Sequence, residues 1–344
     1  MWCRIDYCVG VIGSIVPLAA MLVTASCSVA QVRGIDDSVI EQWNAYHTFS
    51  RQLQGKAART ATGLVSGHTY GYQSSFRQNR ECAMICSPLG DQAFEFCMLA
   101  NPRYTAEVKR SLSDPGKVLL QFVAPTPDAT PPSAASPVGE AIFVETSPHF
   151  TYCSKKLAEV VTDPAFRVNN VTRVPSDGQE LVRLDVSYVY DVGGNVKKQS
   201  KRKGSLYFDP KRKWCLRKVT ESEELFVNGA PDQTTDWTTE YEVRDHASGF
   251  PIIVKQTITT DGYSHRSKRK TGAKIQIDYE LDTTDKMPNA DFTLSAFGLP
   301  EPVGVTWERP TPTYVWVLTA AGGCGLLALL FRYLGRRKPS ASTA

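Results

Sequence analysis

The sequence lacks the motifs that identify a metal-dependent or covalent catalytic site. Its five histidines never fall in a His-Glu-x-x-His arrangement, and it contains neither a Gly-x-Ser-x-Gly elbow nor a phosphate-binding loop. Acidic residues are plentiful, but on alternating strands they are expected on the solvated face. We therefore predict no catalysis and no cofactor.

An excess of positive charge is also lacking once the two ends of the chain are set aside. The formal charge of +4 comes from 39 basic and 35 acidic residues. Arg4, Asp6 and four basic residues after position 331 account for the imbalance, because the rest of the chain has 34 residues of each sign. Residues 31–312 are thus neutral overall, which argues against nucleic acid as a partner.

The first 30 residues have the order of a secretory signal. Arg4 precedes an apolar stretch that ends in the small residues Ser28–Ala30, so we predict a signal peptide over 1–30 with cleavage after its last residue. Two alternatives are an uncleaved membrane anchor and lipidation at Cys27, which follows a sequence similar to a bacterial lipobox.

The other end of the chain predicts one transmembrane helix. Residues 313–331 carry no charge, and at about 1.5 Å per residue they match the hydrocarbon core of a bilayer. Aromatic residues flank this stretch, and a basic tail over 332–344 follows it, so the tail is expected in the cytoplasm. A buried core helix is the alternative. The remaining chain divides into an exported domain over 31–302 and a juxtamembrane linker over 303–312.

The exported domain is predicted to be mainly β, with an amphipathic helix at its start. Apolar residues recur at helical spacing after Asp36, and beyond Gly55 the period changes to two, most clearly over Gln179–Asp191. A proline-rich loop over 124–138 and a short helix over Cys153–Val161 lie between two groups of strands. We predict one antiparallel sheet interrupted by this loop and helix rather than two domains.

Five cysteines of the exported domain lie in a compartment that permits disulfides. If neighbouring strands form a hairpin centred on Leu89-Gly90, Cys82 and Cys97 are opposed and form a candidate disulfide. The alternative is that the cysteines stay reduced and pack as small apolar residues. A metal site that includes Cys86 lacks paired Cys-x-x-Cys spacing, so no metal is predicted.

Two basic runs lie at or near predicted hairpin ends. They are predicted to form one patch that faces anionic lipid head groups or an acidic envelope polymer. The alternative is that they are two separate solvated turns. The patch residues are Lys197, Lys198, Lys201, Arg202, Lys203, Lys211, Arg212, Lys213, Lys268, Arg269 and Lys270.

The order of elements resembles the bacterial lipoprotein-carrier (Lol) fold, a curved half-barrel whose concave apolar face holds acyl chains beneath helical lids. The resemblance covers about residues 36–302. It rests on the opening helix, the long antiparallel meander and the inserted helix, and on segments such as Gly204–Trp214 and Asp291–Pro302. Carriers of this family are soluble or lipid-anchored, whereas this chain has a predicted membrane helix.

The resemblance implies a membrane-tethered binding module of the bacterial cell envelope. Trp43, Tyr46 and Phe49 of the opening helix are then groove or lid residues, and the ligand is a lipid or a hydrophobic peptide. The alternatives are an envelope interaction protein with a filled sheet, whose basic hairpins contact an anionic partner or another envelope protein, and an enzyme of unrecognised type. Pro300–Pro302 with the apolar stretch also resembles a PEP-type sorting signal.

Overall fold

The computed structural model describes residues 35–79, 81–89, 93–114, 116–126, 137–176, 178–192, 197–283, 287–305 and 313–336. The chain divides into two units, Met1–Pro300 and Glu301–Ala344. The predicted signal peptide with Cys27, most of the proline-rich loop and the end of the basic tail lie outside the described residues.

Alternation of apolar and polar residues produces long strands in the first unit. The strand over Gln179–Asp191 has the bounds predicted from the sequence, and its Val182, Leu184 and Val186 are buried. The strands are, in chain order, β1 (Leu53–Gly63), β2 (Thr69–Gln78), β3 (Ala83–Leu89), β4 (Phe94–Ala100), β5 (Tyr104–Ser111), β6 (Val118–Pro125), β7 (Thr151–Tyr152), β8 (Lys155–Lys156), β9 (Phe166–Ser176), β10 (Gln179–Asp191), β11 (Lys198–Asp209), β12 (Cys215–Val227), β13 (Ala230–Asp245), β14 (Pro251–Ser264) and β15 (Arg269–Thr283).

Thirteen of these strands form one antiparallel sheet that joins two meanders. The order across the sheet is β6-β5-β4-β3-β2-β1-β15-β14-β13-β12-β11-β10-β9, and β7 pairs separately with β8. The meanders meet where β1 pairs with β15, from Leu53 opposite Thr283 to Gly63 opposite Ala273. The prediction of one interrupted sheet is confirmed.

Register shifts give the sheet its curvature. Within the described strands they occur in the pairs β9–β10, β11–β12, β12–β13, β13–β14 and β5–β6. A β-bulge leaves one residue unpaired, which bends its strand and increases the local twist. The predicted class, a mainly β fold with a curved antiparallel sheet, is confirmed.

The helices of the described residues are α1 (Asp37–Ser50), α2 (Pro137–Thr146), α3 (Leu157–Thr162) and α4 (Thr313–Arg336). α1 begins after Asp36, whose carboxylate accepts a hydrogen bond from the Val39 N–H at 3.1 Å, as expected of an N-cap. α3 begins later than the predicted inserted helix because Cys153 and Ser154 adopt left-handed φ angles of 52° and 58° in the turn between β7 and β8. α2 was not predicted from the sequence.

α4 occupies the region in which the sequence predicts a transmembrane helix. Within the described part of the chain, no helix has both the length and the apolar character needed to cross a membrane. The predicted span over 313–331 therefore receives no support from the structure.

α1 packs on the inner face of the sheet, the face that carries Leu184, Phe208 and Tyr279. The ring of Tyr46 stacks on Phe150 with 3.7 Å between centroids, and Trp43 lies 5.9 Å from Phe208. Tyr46 and Phe150 are almost completely buried. Because burial of one large apolar side chain contributes about 1.5–3 kcal/mol, these contacts fix α1 against the sheet.

The predicted disulfide between Cys82 and Cys97 is wrong. Cys97 bonds Cys86 instead, and Cys82 is a free, buried cysteine. The cause is the position of the hairpin reversal: Leu89 pairs with Phe94, so the chain turns later than the predicted centre. Cys86 then lies opposite Cys97, and Cys82 lies beyond the paired strand.

A buried histidine makes the stability of the core depend on pH. His149 has no exposed surface, its Nε2 lies 3.3 Å from the Pro251 carbonyl oxygen, and its Nδ1 has no partner among the described residues. Burial lowers the pKa of His149 to about 3, and the charge of Arg217 acts in the same direction. Neutral His149 therefore stabilises the fold fully above its ordinary pKa of 6.5, and this contribution is lost as the pH falls towards 3.

We expect His149 alone to lower the free energy of unfolding by about 2 kcal/mol between pH 7 and pH 5. Urea denaturation of the full chain at both pH values measures this loss. The variant His149→Gln, whose side chain does not titrate, should lack it. An equal pH dependence in the two proteins would contradict the assignment.

Candidate functional site

A cavity of about 280 Å³ lies between the inner face of the sheet and the end of α2 with the segment that follows it. Its floor is formed by β1 and by β11 to β15, and its roof by residues 144–154. The middle of the floor is apolar and aromatic, with Val219, Ile258, Ile277 and Tyr279 among the lining side chains. Polar and charged side chains contribute the larger part of the exposed lining, so the cavity combines an apolar floor with polar sides.

Strand register brings the floor residues together. Trp237, Thr239 and Tyr241 alternate along β13 and therefore share the inner face. Trp237 lies opposite Glu221 of β12, and Thr239 lies opposite Ile258 of β14. Residues from three strands thus form one continuous surface beneath the roof.

A buried ion cluster lies at one side of the cavity. Arg202 donates from Nη1 to Glu221 Oε1 at 2.5 Å and from Nη2 to Glu223 Oε1 at 3.1 Å. The side chains of Arg202 and Glu221 are only 15% and 4% exposed. Hydroxyl groups complete the cluster, because Tyr152 of the roof donates to Glu221 Oε2 and Ser200 donates to Glu223 Oε1.

Burial and charge act against each other in this cluster. Burial raises the pKa of Glu221, and the Arg202 guanidinium offsets that effect only in part. The guanidinium carbon also lies 5.7 Å from the centre of the Trp237 ring, within the range of a cation–π contact. The cation is therefore held by two carboxylates and the face of an indole ring.

A second, more exposed ion pair lies across the floor from this cluster. Arg59 of β1 donates to Glu145 Oε2 at 3.2 Å and to the Tyr72 hydroxyl at 2.6 Å. The side chains of Arg59 and Glu145 are 28% and 36% exposed. The pair connects β1 to the end of α2, so charged groups flank the apolar middle of the cavity on two sides.

The indole N–H of Trp237 has no hydrogen-bond partner in the described part of the chain. Its Nε1 atom is buried. A buried donor left without an acceptor costs about 1–3 kcal/mol, and native structures contain few of them. Because Trp237 lines the cavity, an acceptor atom of a bound molecule would satisfy this donor.

The nucleophilic and metal-binding groups of the described residues are not poised for chemistry. Cys153 lines the cavity, but burial raises the pKa of its thiol to about 12, so the thiol stays protonated at neutral pH. Cys86, Glu95 and Cys97 are close enough to share a metal ion, yet the disulfide occupies both sulfur atoms.

The predicted groove or lid residues Trp43, Tyr46 and Phe49 lie in the core. They are 3%, 0% and 7% exposed, and they do not line the cavity. Aromatic rings of the sheet and of the 3-10 turn Pro148–Phe150 fill the space beneath them. The open volume lies instead under the segment that follows α2.

The predicted basic patch is divided by the fold. Lys198 begins β11, whereas Lys211, Arg212 and Lys213 follow its far end, about 40 Å away at roughly 3.3 Å for each of its 12 residues. β15 starts at the same end of the sheet as β11, since four antiparallel steps separate them. The runs around Lys198 and Arg269 therefore share one end, and the 211–213 run does not.

Arg202 is also misassigned by the surface-patch prediction, because it belongs to the buried ion cluster. Lys201 and Lys203 alternate with it and are exposed on the outer face, where the Lys201 ammonium lies 4.4 Å from the centre of the Phe226 ring. Because successive side chains of a strand lie on opposite faces of the sheet, Arg202 lies on the inner face and Lys201 and Lys203 lie on the outer face.

The sequence-based reasoning missed most of the site. Glu221, Trp237 and Tyr152 were not proposed as site residues, although the alternation along β13 placed Trp237 on a defined face. The signal for Glu221 is its register opposite Trp237. This register is known only once the strands have been paired. Tyr152 of the roof lies outside the long alternating strands, so no periodic pattern in the sequence indicates its position.

No family model and no curated protein matches the chain. Comparison with solved structures finds an outer membrane lipoprotein-sorting protein domain from Vibrio parahaemolyticus, with a TM-score of 0.37 and 10% identity over 75% of this chain and 97% of that one. A LolA superfamily protein from Nitrosomonas europaea has a TM-score of 0.36 and 12% identity over 74% of this chain and 96% of that one.

Two of these similar structures are named for the lipoprotein-carrier class. A third, a DUF1329 family protein from Desulfovibrio piger, has a TM-score of 0.33 and 12% identity over 76% of this chain and all of that one. The class is the one that the order of elements resembles. At these scores the likeness carries no argument about ligand or activity, so the function is argued from the cavity.

We expect Arg202→Met to lower the free energy of unfolding by about 3–5 kcal/mol, because it leaves two buried carboxylates without a cation. Urea denaturation measures the change. The matched control is Arg173→Met, since Arg173 pairs with Glu180 at 3.4 Å in an exposed position and its loss should cost less than about 1 kcal/mol. Equal losses of unfolding free energy in the two variants would contradict the claim that the Arg202 cluster stabilises the fold through its burial.

Proposed function

We propose that the protein is a non-catalytic binding module that holds a hydrophobic or amphipathic ligand of the lipid class in the inner-face cavity. The observation that carries the proposal is the cavity itself. Its middle is apolar and aromatic, and it contains one buried donor without a partner, the Trp237 indole N–H. An apolar chain with an acceptor group, such as an ester or carboxylate oxygen, matches both features.

The charged groups at the sides of the cavity favour an amphipathic ligand over a purely apolar one. Arg202 is neutralised by two carboxylates, so it offers little free charge to a ligand. Arg59 is more exposed and pairs with a single carboxylate, Glu145. A polar head group is therefore expected near Arg59, with the apolar part towards Ile258 and Val219, which lie farther across the floor.

One observation favours the alternative of an envelope interaction protein. The space beneath α1 is filled by side chains, so the part of the inner face that the carrier resemblance assigns to the groove is closed. In that case the sheet is a scaffold and the exposed basic turns meet the partner. The two functions differ in whether a small molecule remains bound to the purified protein.

We expect lipid-class molecules to co-purify with the full chain at close to one per protein. Solvent extraction of the purified protein followed by mass spectrometry measures the bound amount. Extraction that yields only trace, non-stoichiometric lipid would reject the binding function and favour the interaction protein.

A cavity-filling variant tests whether this ligand occupies the proposed site. Thr239→Phe places a ring in the cavity, because Thr239 lines the floor and is 8% exposed. Bound lipid should fall at least tenfold. Thr238→Phe, on the outer face of the same strand, is the matched control and should retain the ligand. Thermal melting of both variants separates loss of ligand from loss of fold, and undiminished ligand in a folded Thr239→Phe would place it elsewhere.

We also propose that the module is exported to the cell envelope and tethered beside a membrane through residues 313–331. The support is the uncharged sequence of this stretch and the basic residues that follow it. Large apolar side chains described on α4 are exposed, including Leu326 at 71% and Phe331 at 70%. Exposed apolar side chains of this number are expected to be covered by lipid or protein.

Deletion of the residues after Pro312 should release the protein from the membrane fraction. The full chain is expected in that fraction, because the deleted stretch contains the proposed tether. Ultracentrifugation of cell lysates at high salt, which releases proteins held on membranes by charge alone, measures the distribution with immunodetection. A truncated chain that still sediments with membranes would contradict the tether but would leave the cavity proposal unaffected.

A further inference from the structure

One end of the sheet combines exposed apolar side chains with basic ones. We name it the tip surface and define it as residues 63–70, the β1–β2 turn region, together with residues 263–270, the β14–β15 turn region. The Leu64 N–H donates to the Gly272 carbonyl at 2.9 Å, which holds the β1–β2 turn beside β15. The two turns are therefore neighbours at the same end of four adjacent strands, in the order β2-β1-β15-β14.

The apolar side chains of the tip surface are large and exposed. Leu64 and Val65 occupy the β1–β2 turn and are 54% and 66% exposed. Tyr70 and Tyr263 are 63% and 40% exposed. Single apolar residues on a surface are common, but aliphatic residues at a turn with tyrosines beside them form the pattern of side chains that enter a membrane interface.

The basic side chains of the tip surface are exposed and form no salt bridge within the described residues. Arg266, Lys268, Arg269 and Lys270 lie in or beside the β14–β15 turn. Lys270 of β15 lies directly opposite Tyr263 of β14, so a basic side chain and an aromatic side chain are cross-strand neighbours. Basic residues are attracted to an anionic bilayer, and this attraction falls off within a Debye length.

The tip surface itself contains four basic residues and no acidic one. The acidic residues beside it are Asp232, whose carbonyl accepts a hydrogen bond from the His265 N–H at 2.8 Å, and Asp261, which lies opposite Asp236 of β13. Lys197 and Lys198 lie at the same end of the sheet, at the start of β11, and add to the positive field. The tip surface is thus positive around an apolar centre.

We propose that the tip surface docks on an anionic lipid bilayer, with Leu64 and Val65 entering the interface and the four basic residues contacting lipid phosphates. Charge complementarity selects an anionic partner, and the exposed aliphatic turn selects a bilayer over an acidic polymer, which has no apolar phase to receive it. This docking is independent of the ligand in the cavity and of the proposed tether.

Hydrogen exchange on the full chain tests the docking locally. The chain is mixed with vesicles of phosphatidylcholine alone or of phosphatidylcholine with phosphatidylglycerol, and exchange is followed in peptides that cover 63–70 and 263–270. We expect slower exchange in both peptides with the anionic vesicles only, and a return to the neutral-vesicle rate at high salt. Identical exchange with both vesicle types would overturn the proposal.

Charge variants separate the tip surface from the rest of the chain. Lys268→Glu/Lys270→Glu should abolish the protection, whereas the control Lys211→Glu/Lys213→Glu makes the same change in charge at the opposite end of the sheet and should retain it. If the control loses as much protection as the tip variant, net charge and not the tip surface drives binding, and the proposal fails.

An apolar variant separates insertion from charge attraction. Leu64→Ser/Val65→Ser should lower the exchange protection of both tip-surface peptides on anionic vesicles roughly tenfold or more, since it removes the side chains that enter the interface. The control is Leu119→Ser, which removes an exposed aliphatic group of β6, 58% exposed, away from the tip surface. Equal protection of these peptides in the tip variant and the control would contradict insertion. Lipid extraction from the same variants reads the cavity separately and should be unchanged.

Discussion

The pairing of β1 with β15 joins two antiparallel meanders, and the site depends on that join. Arg59 of β1 lies opposite Ile277 of β15, so the cavity floor crosses the seam between the first and the last strand. A pairing between strands so distant in the chain closes a very long loop, whose entropic cost grows only slowly with length. The continuous backbone ladder and the burial of Ala57 and Leu281 along it offset that cost.

The inner face is divided between stability and binding. Near α1, aromatic rings fill the space and fix the helix to the sheet. Further along the same strands the buried cation Arg202 is paired with both Glu221 and Glu223, which connects β11 to β12 beneath the roof. The apolar floor between the charged groups, with the unpartnered Trp237 indole, is left for a ligand. The proposed ligand would thus use the part of the face that packing does not occupy.

Local sequence patterns predicted the helices and strands, whereas the positions of the site residues depend on the register between strands that are distant in the chain. Alternation over Gln179–Asp191 gave the bounds of β10, and helical spacing after Asp36 gave α1, because both depend on neighbouring residues alone. The disulfide failed because the hairpin reversal lay later than assumed, and one shift in register changes every opposed pair. The cavity could not be derived from the sequence, since its floor joins six strands and its roof is an irregular segment.

The central claim is that a ligand of the lipid class satisfies the Trp237 indole N–H. Nitrogen-15 NMR of the tryptophan indoles tests this most directly, with Trp237→Phe assigning the signal among the six tryptophans of the chain. Delipidation of the protein and re-addition of the extracted ligand should move the Trp237 resonance reversibly and by more than any other indole resonance. An unchanged Trp237 resonance in a protein that rebinds the ligand would contradict the account.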